Sequence, residues 1–216
     1  MKLKSFGCSF VFGTDLADAN DGATQLLIQP SNNTWPARIA QHLGYDYECF
    51  AWAGLGNLQI LERVLSQANT EPAVFIVNWT WIDRFDYVQD HDNCWVTTRP
   101  TCTSEQAKYY YRHFHSQYQD KLTTLINIKL VIDTLQQHGH QIIMSYMDDL
   151  IFETQWHVSP AVLELQDYVR PFMTTFEGKT FLQWCQHHGH RINEHMHPLE
   201  DAHAAAANYL INQGLL

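Results

Sequence analysis

The run Ala73-Val74-Phe75-Ile76-Val77 constrains this chain more than any other stretch. A strand with one wet face alternates apolar and polar residues, whereas an unbroken apolar run fits a strand covered on both faces. The flanking pattern agrees. Residues 3–8 read as a first strand and residues 45–51 as a second. Between them, Thr34-Trp35-Pro36 opens a helix that runs to about Leu43 and stops at Gly44. Asn57–Ala68 shows a helical period in Leu58, Leu61, Val64, Leu65 and Ala68. Residues 105–138 read as mostly helical and Gln141–Tyr146 as another strand. Helices follow around 160–172, 180–188 and 199–212. Strands alternating with helices predict an α/β fold: three layers, α/β/α, flavodoxin-like, around a mostly parallel sheet. Residues 13–33 read as a long polar loop over one edge, and 83–104 as irregular, aromatic and polar. A single domain over 1–216 is expected, with an insertion at about 83–120.

In such a sheet, ligands bind at the carboxyl ends of the strands. Three segments fall there: Phe6-Gly7-Cys8-Ser9-Phe10, Gly54, and Asn78-Trp79-Thr80-Trp81. Ser9 would present a hydroxyl at that rim. Near the other end, Glu194-His195-Met196-His197 offers a histidine three residues after a carboxylate. A serine needs a base to become a nucleophile, and the base needs an acid to hold its tautomer. Ser9, His197 and Glu194 supply that set, although Glu200 and Asp201 lie close by and could cap the last helix. Gly54 suits an oxyanion donor because its backbone can approach a substrate closely.

These blocks, in this order, resemble those of the SGNH (GDSL-like) hydrolase superfamily. The first is Gly7-Cys8-Ser9-Phe10, the second Ala51-Trp52-Ala53-Gly54-Leu55-Gly56-Asn57, and the last Glu194-His195-Met196-His197-Pro198, with Glu where the family has Asp. The family's Gly-x-Asn-Asp block is altered here to Asn78-Trp79-Thr80-Trp81. The resemblance implies an esterase or acyl-transfer enzyme with Ser9 as nucleophile, His197 as base and Glu194 as acid. It implies an oxyanion hole from the Ser9 and Gly54 N–H groups plus a side chain of Asn78, Thr80 or Asn57. It also implies a small-molecule or carbohydrate ester as substrate, such as an O-acetyl group on a sugar, with no cofactor and no metal.

The net charge of −10 speaks against a nucleic-acid partner. No apolar run reaches the 18 residues of a membrane span. Five cysteines without regular spacing do not read as a disulfide framework. Lys2 and Lys4 with residues 5–13 are too short and polar for a signal peptide, so a cytoplasmic setting is expected.

Three features compete with this reading or stand outside it. His187, His188, His190, His195, His197 and His203 could hold zinc with Glu194, although no recognised ligand spacing occurs. A ligand-binding domain on the same fold, without catalysis, is the other alternative. The rings of Tyr109, Tyr110, Tyr111, Phe114, Trp95 and Tyr118 either form a lid over a sugar or aryl group or pack the long helix onto the core. Asp148-Asp149 follows a strand, where a cap is the simplest role.

Overall fold

The computed structural model of the chain describes residues 1–20, 26 and 29–214. Part of the long polar loop expected at 13–33 therefore lies outside the described residues. Four parallel strands form the main sheet: β1 (Lys2–Phe6), β2 (Asp46–Cys49), β3 (Val74–Trp79) and β6 (Gln141–Tyr146), in the order β2-β1-β3-β6. This is the strand order with which a flavodoxin-like sheet begins. β3 pairs on both sides, with β1 from Leu3↔Val74 to Phe6↔Val77 and with β6 from Val74↔Gln141 to Trp79↔Tyr146.

The alternation of β3 divides the core in two. Phe75, Val77 and Trp79 face helices α3 (Asn57–Ala68), α5 (Gln117–Gln137) and α6 (Pro160–Val169). Val74 and Ile76 face α2 (Trp35–Leu43), α7 (Phe181–His187) and α8 (Glu200–Asn212). The expected three layers are present. On α3 the buried stripe is Ile60, Leu61, Val64 and Ala68, while Leu58 and Leu65 stay exposed.

Residues 83–104 are not irregular. They form an antiparallel hairpin, β4 (Phe85–Gln89) and β5 (Cys94–Thr98), paired from Phe85↔Thr98 to Gln89↔Cys94. Charged residues between the aromatics hid the alternation. One of them, Asp86, is buried because it is used: its carboxylate accepts the N–H groups of Gly56 and Gln59, the Gln59 side-chain amide and the Thr97 hydroxyl. A carboxylate at the start of α3 also meets the positive end of the helix dipole. Gly56 leaves room for it, since a Cβ there would stand 2.4 Å from Asp86 Oδ2. The helix expected at 105–138 breaks into α4 (Glu105–His113) and α5, which Ser116 starts by accepting the Gln119 N–H.

The aromatic rings of α4 mostly pack. Tyr110 stacks on Phe85 at 4.0 Å, and the Tyr111 hydroxyl donates to the carbonyls of Asp83 and Thr98. Tyr109 and Phe114 remain exposed. The Tyr118 hydroxyl hydrogen-bonds that of Ser159. Asp148 accepts the N–H groups of Leu150 and Ile82, as a cap does.

Two predictions follow from buried polar groups. Asp86→Ala strands four donors in the wall between α3 and the hairpin, so unfolding in urea should show a loss of about 2–4 kcal/mol. A loss below about 0.5 kcal/mol would mean that the hairpin is not anchored there. The second concerns His203 on α8, whose Nδ1 accepts the Trp35 N–H at the start of α2. Burial, then the Arg38 and His197 charges, lower its pKa to about 3. An imidazole that ionises near 6.5 when unfolded but far lower when folded adds stability above pH 6.5, and loses it as pH falls toward 3. By pH 5 this amounts to about 2 kcal/mol. His203→Gln should flatten the pH dependence of the urea midpoint between pH 7.5 and 5 by that amount; parallel curves would refute it.

Candidate active site

β1 delivers the chain to Gly7, where a Cβ would stand 2.8 Å from Val11 and 3.0 Å from the Asn78 carbonyl. Only a glycine lets the turn pass so close to the end of β3. Cys8 then caps a four-residue helix, α1 (Ser9–Phe12), closed by Gly13 in the left-handed conformation. Ser9 is thus the first residue of a helix rather than a simple turn residue.

The Ser9 hydroxyl lies 2.9 Å from His197 Nε2. The other ring nitrogen, Nδ1, meets the carboxylate of Asp15. An Nδ1–H donated to Asp15 leaves Nε2 free to accept from Ser9, which is the tautomer a general base requires. Phe10 packs edge-on against the imidazole at 5.3 Å. Burial works to raise the pKa of Asp15, but hydrogen bonds from His197 and Asn193 and the charges of His197 and His195 outweigh it, leaving it below the ordinary carboxylate value.

The acid beside His197 is therefore Asp15, and the expectation of Glu194 is corrected. Glu194 is exposed, and among the described residues its ion-pair partner is His195, at 3.9 Å. Its neighbours are engaged elsewhere: Glu200 accepts the Ala17 N–H, and Asp201 holds Arg191. The reason lies in a tight turn. Asn193 Oδ1 accepts the N–H groups of both His195 and His197, while its side-chain N–H donates to Asp15 at 2.6 Å. Met196 takes a positive φ of 64° to close the turn. Asn193 thus orients base and acid together, and Glu194 points outward. Neither Asp15, within a polar stretch, nor Asn193 carries a motif that sequence reading could have found.

A cleft of about 860 Å³ opens at Ser9, and Asp15, Gly54, Trp81, Arg84 and His197 are among its walls. Gly54 has a φ of 84°, and neither its N–H nor that of Ser9 donates to a backbone acceptor among the described residues. The expected side-chain donors are absent from the walls. Asn57 is buried, with its amide accepting the Thr80 N–H and donating to the Thr80 carbonyl and the Thr124 hydroxyl. The Asn78 amide donates to Ser145 at 2.7 Å. Thr80 is fully buried. These three residues lock the exit of β3 to α3 and β6 and do not reach Ser9. Arg84 stacks on Trp81 at 4.9 Å and donates to the Leu55 carbonyl.

The histidine cluster does not converge. His188 pairs with Glu177, His190 with Asp201, His203 is buried on α8 against the start of α2, and His187 is exposed. Among the described residues, no group of three or more His, Cys, Asp or Glu side chains is placed to hold a metal ion. All five cysteines are free thiols, and no helix of the described residues is long and apolar enough to cross a membrane.

Solved structures share this architecture. Est2A, an acetyl xylan esterase from the rumen bacterium Butyrivibrio proteoclasticus, is 18% identical with a TM-score of 0.54, over 100% of this chain and 65% of that one. This chain thus spans about two thirds of that protein's length. A lipolytic protein of the G-D-S-L family from Veillonella parvula is 11% identical with a TM-score of 0.54, over 98% and 97% of the two chains. A carbohydrate esterase, described as having an active site with divergent catalytic and non-catalytic binding functions, is 13% identical with a TM-score of 0.53, over 98% and 67%. No family model matches the sequence, and no curated protein matches it. The chain has the α/β/α fold of the SGNH (GDSL-like) hydrolases, as its ordered blocks implied.

The hydrogen bond from His197 Nδ1–H to Asp15 should give a downfield imidazole proton resonance. It should vanish in Asp15→Asn and weaken in Asn193→Ala, while Glu194→Gln leaves it in place. A resonance that survives Asp15→Asn would reassign the partner of His197.

Proposed function

We propose that this chain hydrolyses a carboxylic ester through Ser9, His197 and Asp15. The observation that carries the reading is the relay itself: a hydroxyl 2.9 Å from an imidazole whose far nitrogen rests on a carboxylate. Ser9 attacks the carbonyl as His197 Nε2 takes its proton, and Asp15 stabilises the resulting imidazolium. The tetrahedral oxyanion is received by the N–H groups of Ser9 and Gly54. His197 returns the proton to the leaving alcohol, then activates a water that frees the acyl group from Ser9. None of these steps calls on a metal or cofactor. The O-acetylated carbohydrate expected from the resemblance stays within this proposal, supported by the carbohydrate esterases that share the fold.

A second reading, a binding domain without catalysis, draws on one observation. Among the described residues, no Asn or Gln side chain lines the cleft to complete the oxyanion hole. Losing one such donor typically lowers a rate by about 100- to 1000-fold, so an esterase built this way would be slower but not inert.

A fluorophosphonate should label Ser9, and the purified protein should turn over a short aryl acetate. Ser9→Ala and His197→Ala should each lower kcat by at least about 10⁴-fold, because the two act as a unit. Asp15→Asn should cost about 10³- to 10⁴-fold, whereas Glu194→Gln should stay within about twofold of the parent. Turnover that survives Ser9→Ala overturns the proposal. A folded protein that neither reacts nor turns over favours the binding domain.

A further inference from the structure

The cleft continues past Gly54. A recess of about 510 Å³ shares Ala53, Gly54 and Arg99 with the space around Ser9. Its lining is of a different kind. Trp52 and Trp95 are 45% and 37% exposed there. Trp52 is held edge-on against Phe12 at 4.9 Å, and Trp95 is carried on β5 opposite Val88. The charged side chains lining the recess are two arginines, Arg63 and Arg99, with no acid among the described residues. Arg63 is half-buried and fixed by donating to the Phe50 carbonyl at 2.8 Å. The Arg99 side chain is exposed and has no hydrogen-bond or ion-pair partner among the described residues. The Asp86 carboxylate behind Gln59 and Thr97 is occupied by its own four donors. The charge of neighbouring Glu62 acts on Arg63 from outside the lining, and Arg99 keeps its charge unpaired. In a chain of net charge −10, a recess lined by two arginines, two exposed indoles and no acid calls for a ligand that is both ring-shaped and anionic.

We propose that this recess binds an acidic saccharide, a hexuronic acid residue on the alcohol side of the ester. An indole offers an apolar plane for the C–H face of a pyranose. A guanidinium offers parallel donors to a carboxylate, which a neutral sugar or an acyl chain would leave unmatched. Gly54 stands at the junction, so an ester presented to Ser9 would place its sugar over Trp52 and Trp95. The ester's cleavage rests on the proposed Ser9 chemistry; the binding of the sugar does not.

The test is titration calorimetry on the full chain carrying Ser9→Ala, with trigalacturonate and with neutral xylotriose as probes. Trigalacturonate should bind at least about tenfold tighter than xylotriose and weaken as salt rises. Arg99→Gln and Trp95→Ala, added singly, should each weaken trigalacturonate by about tenfold. Equal affinity for both probes, no binding of trigalacturonate, or indifference to Arg99→Gln overturns the inference. The two readings fail separately. Trigalacturonate binding without turnover of any ester by the parent protein removes the esterase and keeps the recess. Turnover of an aryl acetate without trigalacturonate binding does the reverse.

Discussion

The rest of this structure depends on the burial of β3. A strand paired along both edges and covered on both faces has no water to satisfy its backbone, so every N–H and C=O must find its partner in the sheet. Irregular backbone is excluded until the strand ends at Trp79. Turns that carry chemistry are thereby pushed to the carboxyl edge, where Gly7–Ser9 leaves β1 and Thr80–Trp81 leaves β3. Asn57 secures that edge by binding Thr80 through both its N–H and its carbonyl. The amide expected to serve a substrate is used instead to hold two loops in register.

The hairpin is the second determinant of the site's shape. Asp86 joins it to the first turn of α3, next to the loop that carries Gly54. One buried carboxylate therefore couples the loop that carries Gly54, the wall bearing Trp95 and the approach to Arg99. The fit is close enough that position 56 tolerates no side chain.

The elements that bury long periodic or unbroken apolar segments were legible in the sequence: Asn57–Ala68 and Gln141–Tyr146 fall where the pattern placed them. The hairpin was not, because its alternation is interrupted by Asp86, which is buried yet polar, and by exposed Val88 and Trp95. Ser9 and His197 lay in recognisable blocks, and the structure sets them 2.9 Å apart. Asp15 was hidden for a physical reason. An acid's contact with a base depends on the path of the chain between them, and here a five-residue turn built on Asn193 swings Glu194 outward. Spacing along the sequence carries no information about such a turn.

The placement of Asp15 has a consequence for how the centre comes into being. Ser9 and Asp15 ride on one short segment, whereas His197 is separated from them by 188 and 182 residues. Two of the three groups are thus near neighbours along the chain, and a single long closure, the docking of the Asn193–His197 turn, completes the set. The relay is therefore complete only in the closed fold. In an open chain the Ser9 hydroxyl and the Asp15 carboxylate lie far from His197, and both meet it only when the Asn193–His197 turn has docked.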